Sequence, residues 1–130
     1  MITSSVVAIS IGSSLGACLR WWLGLRLNPL IPGLPLGTLA ANLIGGLLIG
    51  VALEYFARDT ALSPTVRLAV VTGFLGGLTT FSTFSAETVQ LLQRGESLWA
   101  LATVAAHVFG SLLLTALGIL LVRWIQPAWP

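Results

Sequence analysis

Long apolar stretches broken by tight clusters of charge set the pattern of this chain. Residues 1–19, 27–53, 68–86 and 97–122 hold no Asp, Glu or Arg, and Lys is absent altogether. A spanning helix needs ~20 mostly apolar residues to cross ~30 Å of hydrocarbon. Each stretch reaches or nearly reaches that length. The pattern predicts four transmembrane helices, approximately 3–24, 36–57, 65–93 and 97–125, making one domain over residues 1–130. They must be helices because lipid offers no water to an unpaired backbone. A β-barrel needs alternating segments, and Leu47-Leu48-Ile49 and Leu112-Leu113-Leu114 do not alternate. Asn28-Pro29 and Pro32-Gly33 mark a turn after the first span. Ser63-Pro64 reads as a cap and first helical residue, and Pro127 and Pro130 close the last span. Trp21, Trp22, Trp99, Trp124 and Trp129 fall near helix ends, as an interfacial aromatic belt does.

Composition narrows the class further. Of 130 residues, 56% are apolar and 8% charged, with mean hydropathy +0.98. A soluble domain carries about 25% charge. A soluble enzyme, a nucleic-acid binder and a disordered chain are therefore excluded, and lipid is an expected partner while nucleic acid is not. Leu15-Gly16-Ala17-Cys18 loosely resembles a lipoprotein cleavage site. No cation precedes the apolar run, so cleavage is not expected. Cys18 is expected to be a small residue at a helix interface.

Four spans put both termini on one side. Arg58, Arg67 and Arg123 fall on that side, and Arg20, Arg26 and Arg94 on the other. The usual Lys/Arg imbalance that orients a membrane protein is missing. Either position alone favours one side, or the chain inserts both ways and pairs as an antiparallel dimer. The pairs Gly12/Gly16, Gly46/Gly50 and Gly73/Gly77 suit close helix approach.

Candidate chemistry concentrates in residues 72–88, TGFLGGLTTFSTFSAET. Gly73, Gly76 and Gly77 precede hydroxyls at Thr79, Thr80, Ser82, Thr83 and Ser85. A glycine pair costs roughly 2 kcal/mol of helix propensity relative to Ala. The segment predicts a break near Gly76 to Thr80, whose freed carbonyls suit a hard cation such as Na⁺. The competing reading is a glycine kink with hydroxyls bonded back to their own helix. Phe81 and Phe84 share a helix face, and their ring edges can favour a small anion without trapping it. In the fourth span Thr103, His107, Ser111 and Thr115 form a stripe at spacing four. Asn42, with Thr38 one turn earlier, adds amide donors. Arg20 either snorkels to the interface or gives a vestibule positive potential, and Glu87 stands at a vestibule or contacts another helix.

The run from Gly73 to Glu87 closely resembles the signature of the Fluc (CrcB) fluoride channels, and Pro35 to Gly45 resembles that family's second-helix motif. Arg20-Trp21, His107-x-x-Gly110-Ser111 and Thr115-Ala116-Leu117-Gly118 fit as well, so the likeness spans the chain. The resemblance implies an antiparallel dual-topology homodimer of four-helix subunits with a broken third helix, in a bacterial inner membrane. It implies passive fluoride export that lowers cytoplasmic fluoride. It also implies a structural, non-transported Na⁺ held by the backbone carbonyls of Gly76 and Thr79 from both subunits. Asn42, Phe81, Phe84, Ser111 and Thr115 correspond to pore residues. Arg20, Thr38, Thr83, Glu87 and His107 correspond to a vestibule or polar track.

The alternative from residues alone is a small dual-topology proton-coupled drug or cation transporter. Coupling needs an acid within a span. Residues 1–19 hold none, and Glu54 and Glu87 fall toward predicted helix ends. A purely structural subunit does not need the hydroxyl and Phe cluster. A membrane enzyme is not expected: one His, one Cys and no paired carboxylates within a span make no acid–base set.

Overall fold

The computed structural model describes residues 2–59 and 61–127. Trp129 and Pro130, read above as belt and helix stop, lie outside the described residues. The first span is α1 (Ile2–Leu27), followed by a 3₁₀ turn at Asn28–Leu30. The second is α2 (Leu36–Arg58). The third is segmented: α3 (Pro64–Arg67), a π-helix over Leu68–Leu75, α4 (Gly76–Leu78), then α5 (Phe81–Gln93). The last is α6 (Ser97–Ile125). All four spans are long and apolar enough to cross a membrane.

Local chemistry sets the boundaries. Ser63 caps α3, its Oγ accepting from Val66 N–H at 3.3 Å, with Pro64 at the first helical position. The first loop is tied down where Asn28 Oδ1 accepts from Gly37 N–H at 2.7 Å. Gly95 ends the third span at φ +75°, a conformation that side chains resist.

Glycines decide how the spans pack. In lipid, association rests on close packing and interhelical hydrogen bonds rather than on the hydrophobic effect. A Cβ on Gly16 would sit 2.1 Å from Phe74 O, and one on Gly77 would sit 2.4 Å from Ser13 O. α1 therefore crosses the first half of the third span backbone to backbone. A Cβ on Gly50 would sit 2.1 Å from Thr115 O, and one on Gly118 would sit 2.3 Å from Leu47 O. α2 and α6 therefore run parallel in equally close contact. Leu23, Ala41 and Leu78 form the buried core where these layers meet, with Leu19, Leu27 and Phe74 against them.

Two sequence expectations need correction. Cys18 is exposed, so it faces outward rather than filling a helix interface within the subunit. Of the two readings of Arg20, snorkelling is the one the structure disfavours: α1 continues seven residues beyond it, to Leu27, which at ~1.5 Å per residue sets it about 10 Å inside that end. The side chain does not reach outward, because its Nε donates to Gly77 O at 3.1 Å. At the opposite end Glu54 ties two helices together, pairing with Arg58 at 2.7 Å and Arg123 at 3.1 Å.

Candidate functional site at the interrupted span

The third span loses its helix where glycines and hydroxyls meet. Thr79 (φ −83°, ψ 154°) and Thr80 (φ −153°, ψ 121°) are extended between α4 and α5. The break is thus narrower than the predicted Gly76–Thr80 window. Upstream, the π-helix over Leu68–Leu75 had no sequence signal that set it apart from an α-helix.

Every backbone group at such a break must find another partner. Thr79 still closes the first half, its N–H and Oγ1 both donating to Leu75 O at 3.0 and 2.9 Å. Thr80 caps the second half, its Oγ1 accepting from Thr83 N–H at 3.2 Å and donating to Thr83 Oγ1 at 3.0 Å. Asn42 splints the gap. Its Oδ1 accepts from Thr80 N–H at 2.8 Å, and its Nδ2 donates to Thr80 O at 3.0 Å. Arg20 answers Gly77 O. Thr80 N–H, the helical donor for Gly76 O, goes to Asn42, and Thr83 N–H, the donor for Thr79 O, goes to Thr80 Oγ1. Gly76 and Thr79 are thus two of the carbonyls that lose a helical donor at the break, beside Gly77, which Arg20 engages.

The break opens on a groove of about 560 Å³ between the third span, α2 and α6. Asn42, Phe81, Phe84, His107, Ser111 and Thr115 line it beside Gly76, Thr79 and Thr80. The two phenylalanines meet edge to face, centroids 5.6 Å apart, but they differ in setting. Phe81 is 79% exposed on the open side, whereas Phe84 is buried, 4.5 Å from the His107 ring. The α6 stripe bonds across to α2: His107 Nδ1 lies 3.0 Å from Asn42 Nδ2, and Thr115 Oγ1 donates to Gly46 O at 3.0 Å. Thr103 is fully buried at the closed end of the stripe.

Thr38 and Glu87 meet one turn beyond Asn42, Thr38 Oγ1 donating to Glu87 Oε1 at 2.7 Å. Glu87 also lines a separate pocket of about 180 Å³ under the first loop, with Gln90 and Arg94. Its other oxygen, Oε2, is buried without a partner. The structure thus gathers Thr38, Asn42, Thr83, Glu87 and His107 with both phenylalanines around the break, while Arg20 reaches it from the α1 side.

Two contacts escaped the sequence reading. The Thr80-x-x-Thr83 cap carried a readable signal, a hydroxyl three residues before a backbone donor at a helix start. The Arg20–Gly77 contact carried none, since it joins residues 57 apart. Among the described residues, no group of three His, Cys, Asp or Glu could hold a metal.

Comparison with known proteins agrees with this architecture. Residues 7–119 match the family model described as CrcB-like protein, Camphor Resistance (CrcB). A protein of Nitrosospira multiformis named "Fluoride-specific ion channel FluC" is 60% identical over 121 residues, covering 93% of this chain and 94% of that one. Proteins of the same name from Chromobacterium violaceum and Pseudomonas aeruginosa are 59% and 55% identical, over 94% and 93% of this chain and 97% and 95% of theirs. A four-span fold with this match over nearly its whole length makes the chain a multi-pass membrane protein that belongs to the CrcB-like family.

Proposed function

We propose that this protein is a fluoride-specific ion channel of the bacterial inner membrane, which lets fluoride leave the cell passively and so lowers its cytoplasmic concentration. The observation that carries the reading is the interrupted third span. It opens on a groove where hydroxyls, one amide and two phenyl rings stand among aliphatic side chains such as Ile49, Val71 and Leu112. The relatives, named as ion channels, support transport rather than catalysis.

Fluoride is small and strongly hydrated, so a pathway must replace its water with donors while holding it only moderately. Ser111 and Thr115 supply hydroxyls, Asn42 an amide, and Phe81 and Phe84 positive ring edges. The N-terminus of α5 adds the positive end of a helix dipole. Arg20 places a cation near the break without standing free, since Gly77 O engages it. Thr38, Thr83, Glu87 and His107 make up the flanking polar track.

The working unit in this reading is an antiparallel dual-topology homodimer. Phe81 projects from the open side of the groove, so one subunit leaves the pathway walled on one side only. The balanced Arg distribution permits both orientations. A second subunit would also complete a Na⁺ site. The carbonyls of Gly76 and Thr79, with their helical donors diverted, fit a hard cation that prefers oxygen. Two copies would contribute four such oxygens. When bound, the ion would supply a fixed positive charge near the membrane centre.

The test is efflux from liposomes reconstituted with purified protein, fluoride against chloride. Fluoride efflux with chloride retained is the expected result. Equal loss of both ions, or proton-dependent movement of organic cations instead, would overturn the reading.

A further inference from the structure

We propose that His107 is a positioning residue: by accepting a hydrogen bond at Nδ1 it fixes the Asn42 amide, and through that amide it holds Thr80 in its extended conformation at the break. The backbone N–H of Thr80 can only donate. The Asn42 atom 2.8 Å from it is therefore Oδ1. Nδ2 must then face both Thr80 O and His107 Nδ1, each at 3.0 Å. It has two N–H groups, one for each acceptor. An amide nitrogen does not accept, so the ring nitrogen does. His107 is consequently neutral, with Nδ1 bare and its proton on Nε2.

An Nδ1–H tautomer would set donor against donor. The Asn42 amide would turn away to escape, and both of its bonds to Thr80 would go with it. The ring is packed in place beside the groove. It is 4% exposed and lies against Phe84 with its plane tilted 32°. His107 thus acts on the break through Asn42, across two helices, whether or not it meets the ion.

The tautomer stands independently of the proposed function, whereas the flux consequence rests on it. The chain has one His, so ring-¹⁵N-histidine labelling of liposome-reconstituted protein gives one set of signals. At neutral pH the expected spectrum shows protonated Nε2 and unprotonated Nδ1. In His107→Phe, which keeps a ring but loses the acceptor, fluoride efflux should fall and Thr80 amide exchange should quicken, each by about tenfold, the scale of one buried hydrogen bond. His107→Asn, whose carbonyl oxygen can occupy the place of Nδ1, should restore both. A protonated Nδ1, a doubly protonated ring, unchanged Thr80 exchange in His107→Phe, or no recovery in His107→Asn would each overturn the proposal. Wild-type protein with the expected tautomer but no fluoride efflux would instead count against the channel reading alone.

Discussion

Replacing Asn42 with Leu tests whether the amide holds the break open. Leu keeps similar bulk but removes the acceptor for Thr80 N–H and the donor for Thr80 O. A buried polar group left without a partner costs about 1–3 kcal/mol. Two such groups would cost about 2–6 kcal/mol, but Thr80 borders the open groove and water can answer part of the loss, which leaves about 2–4 kcal/mol. The same change strips His107 Nδ1 of its donor. If the splinted conformation is the conducting one, a 2 kcal/mol penalty lowers its share by about 30-fold. Reversible unfolding in mixed detergent micelles measures the stability loss, and fluoride efflux from liposomes measures the functional one. Asn42→Leu protein within ~0.5 kcal/mol of wild type, with undiminished efflux, would refute the reasoning.

Other positions give sharper contrasts. Gly50→Ala should force α2 from α6 and destabilise the fold by about 1–3 kcal/mol, because its Cβ would meet Thr115 O at 2.1 Å; Gly24→Ala, inside α1 with its nearest neighbour Asn28 Nδ2 at 3.7 Å, should leave the unfolding midpoint unchanged or raise it. The double variant Phe81→Ile, Phe84→Ile should abolish most fluoride efflux while the protein still purifies as wild type does; unaltered efflux would remove both rings from the pathway. Leu30→Lys with Ile31→Lys, both exposed in the first loop, should drive the chain into one orientation and cut efflux sharply unless an oppositely biased copy is co-expressed. Dialysis into Na⁺-free buffer should reduce efflux or loosen the dimer on a sizing column, and the absence of both effects would dismiss the carbonyl cation site.

Much of the architecture was written in the order of the residues. Bilayer thickness and the cost of an unpaired backbone in lipid convert four uncharged stretches directly into four spans, and the α-helical ends lie within about three residues of the predicted ones, with the 3₁₀ turn extending the first span to Leu30. The interruption was also local chemistry, because Gly76-Gly77 weakens the helix just where Thr79 and Thr80 can cap its two halves. Serine and proline signals at Ser63 and Pro64 act over one turn and were legible for the same reason. Tertiary structure decided which partners complete the break. Asn42 bonding to Thr80, Arg20 reaching Gly77 and Thr38 meeting Glu87 join residues 38, 57 and 49 positions apart. No periodicity encodes such pairings. They arise because glycine faces let α1 lie on the third span and α2 on α6, which brings side chains from separate helices to one level in the membrane. Sequence fixes where the helix must yield; only packing determines which side chains answer the backbone groups it releases.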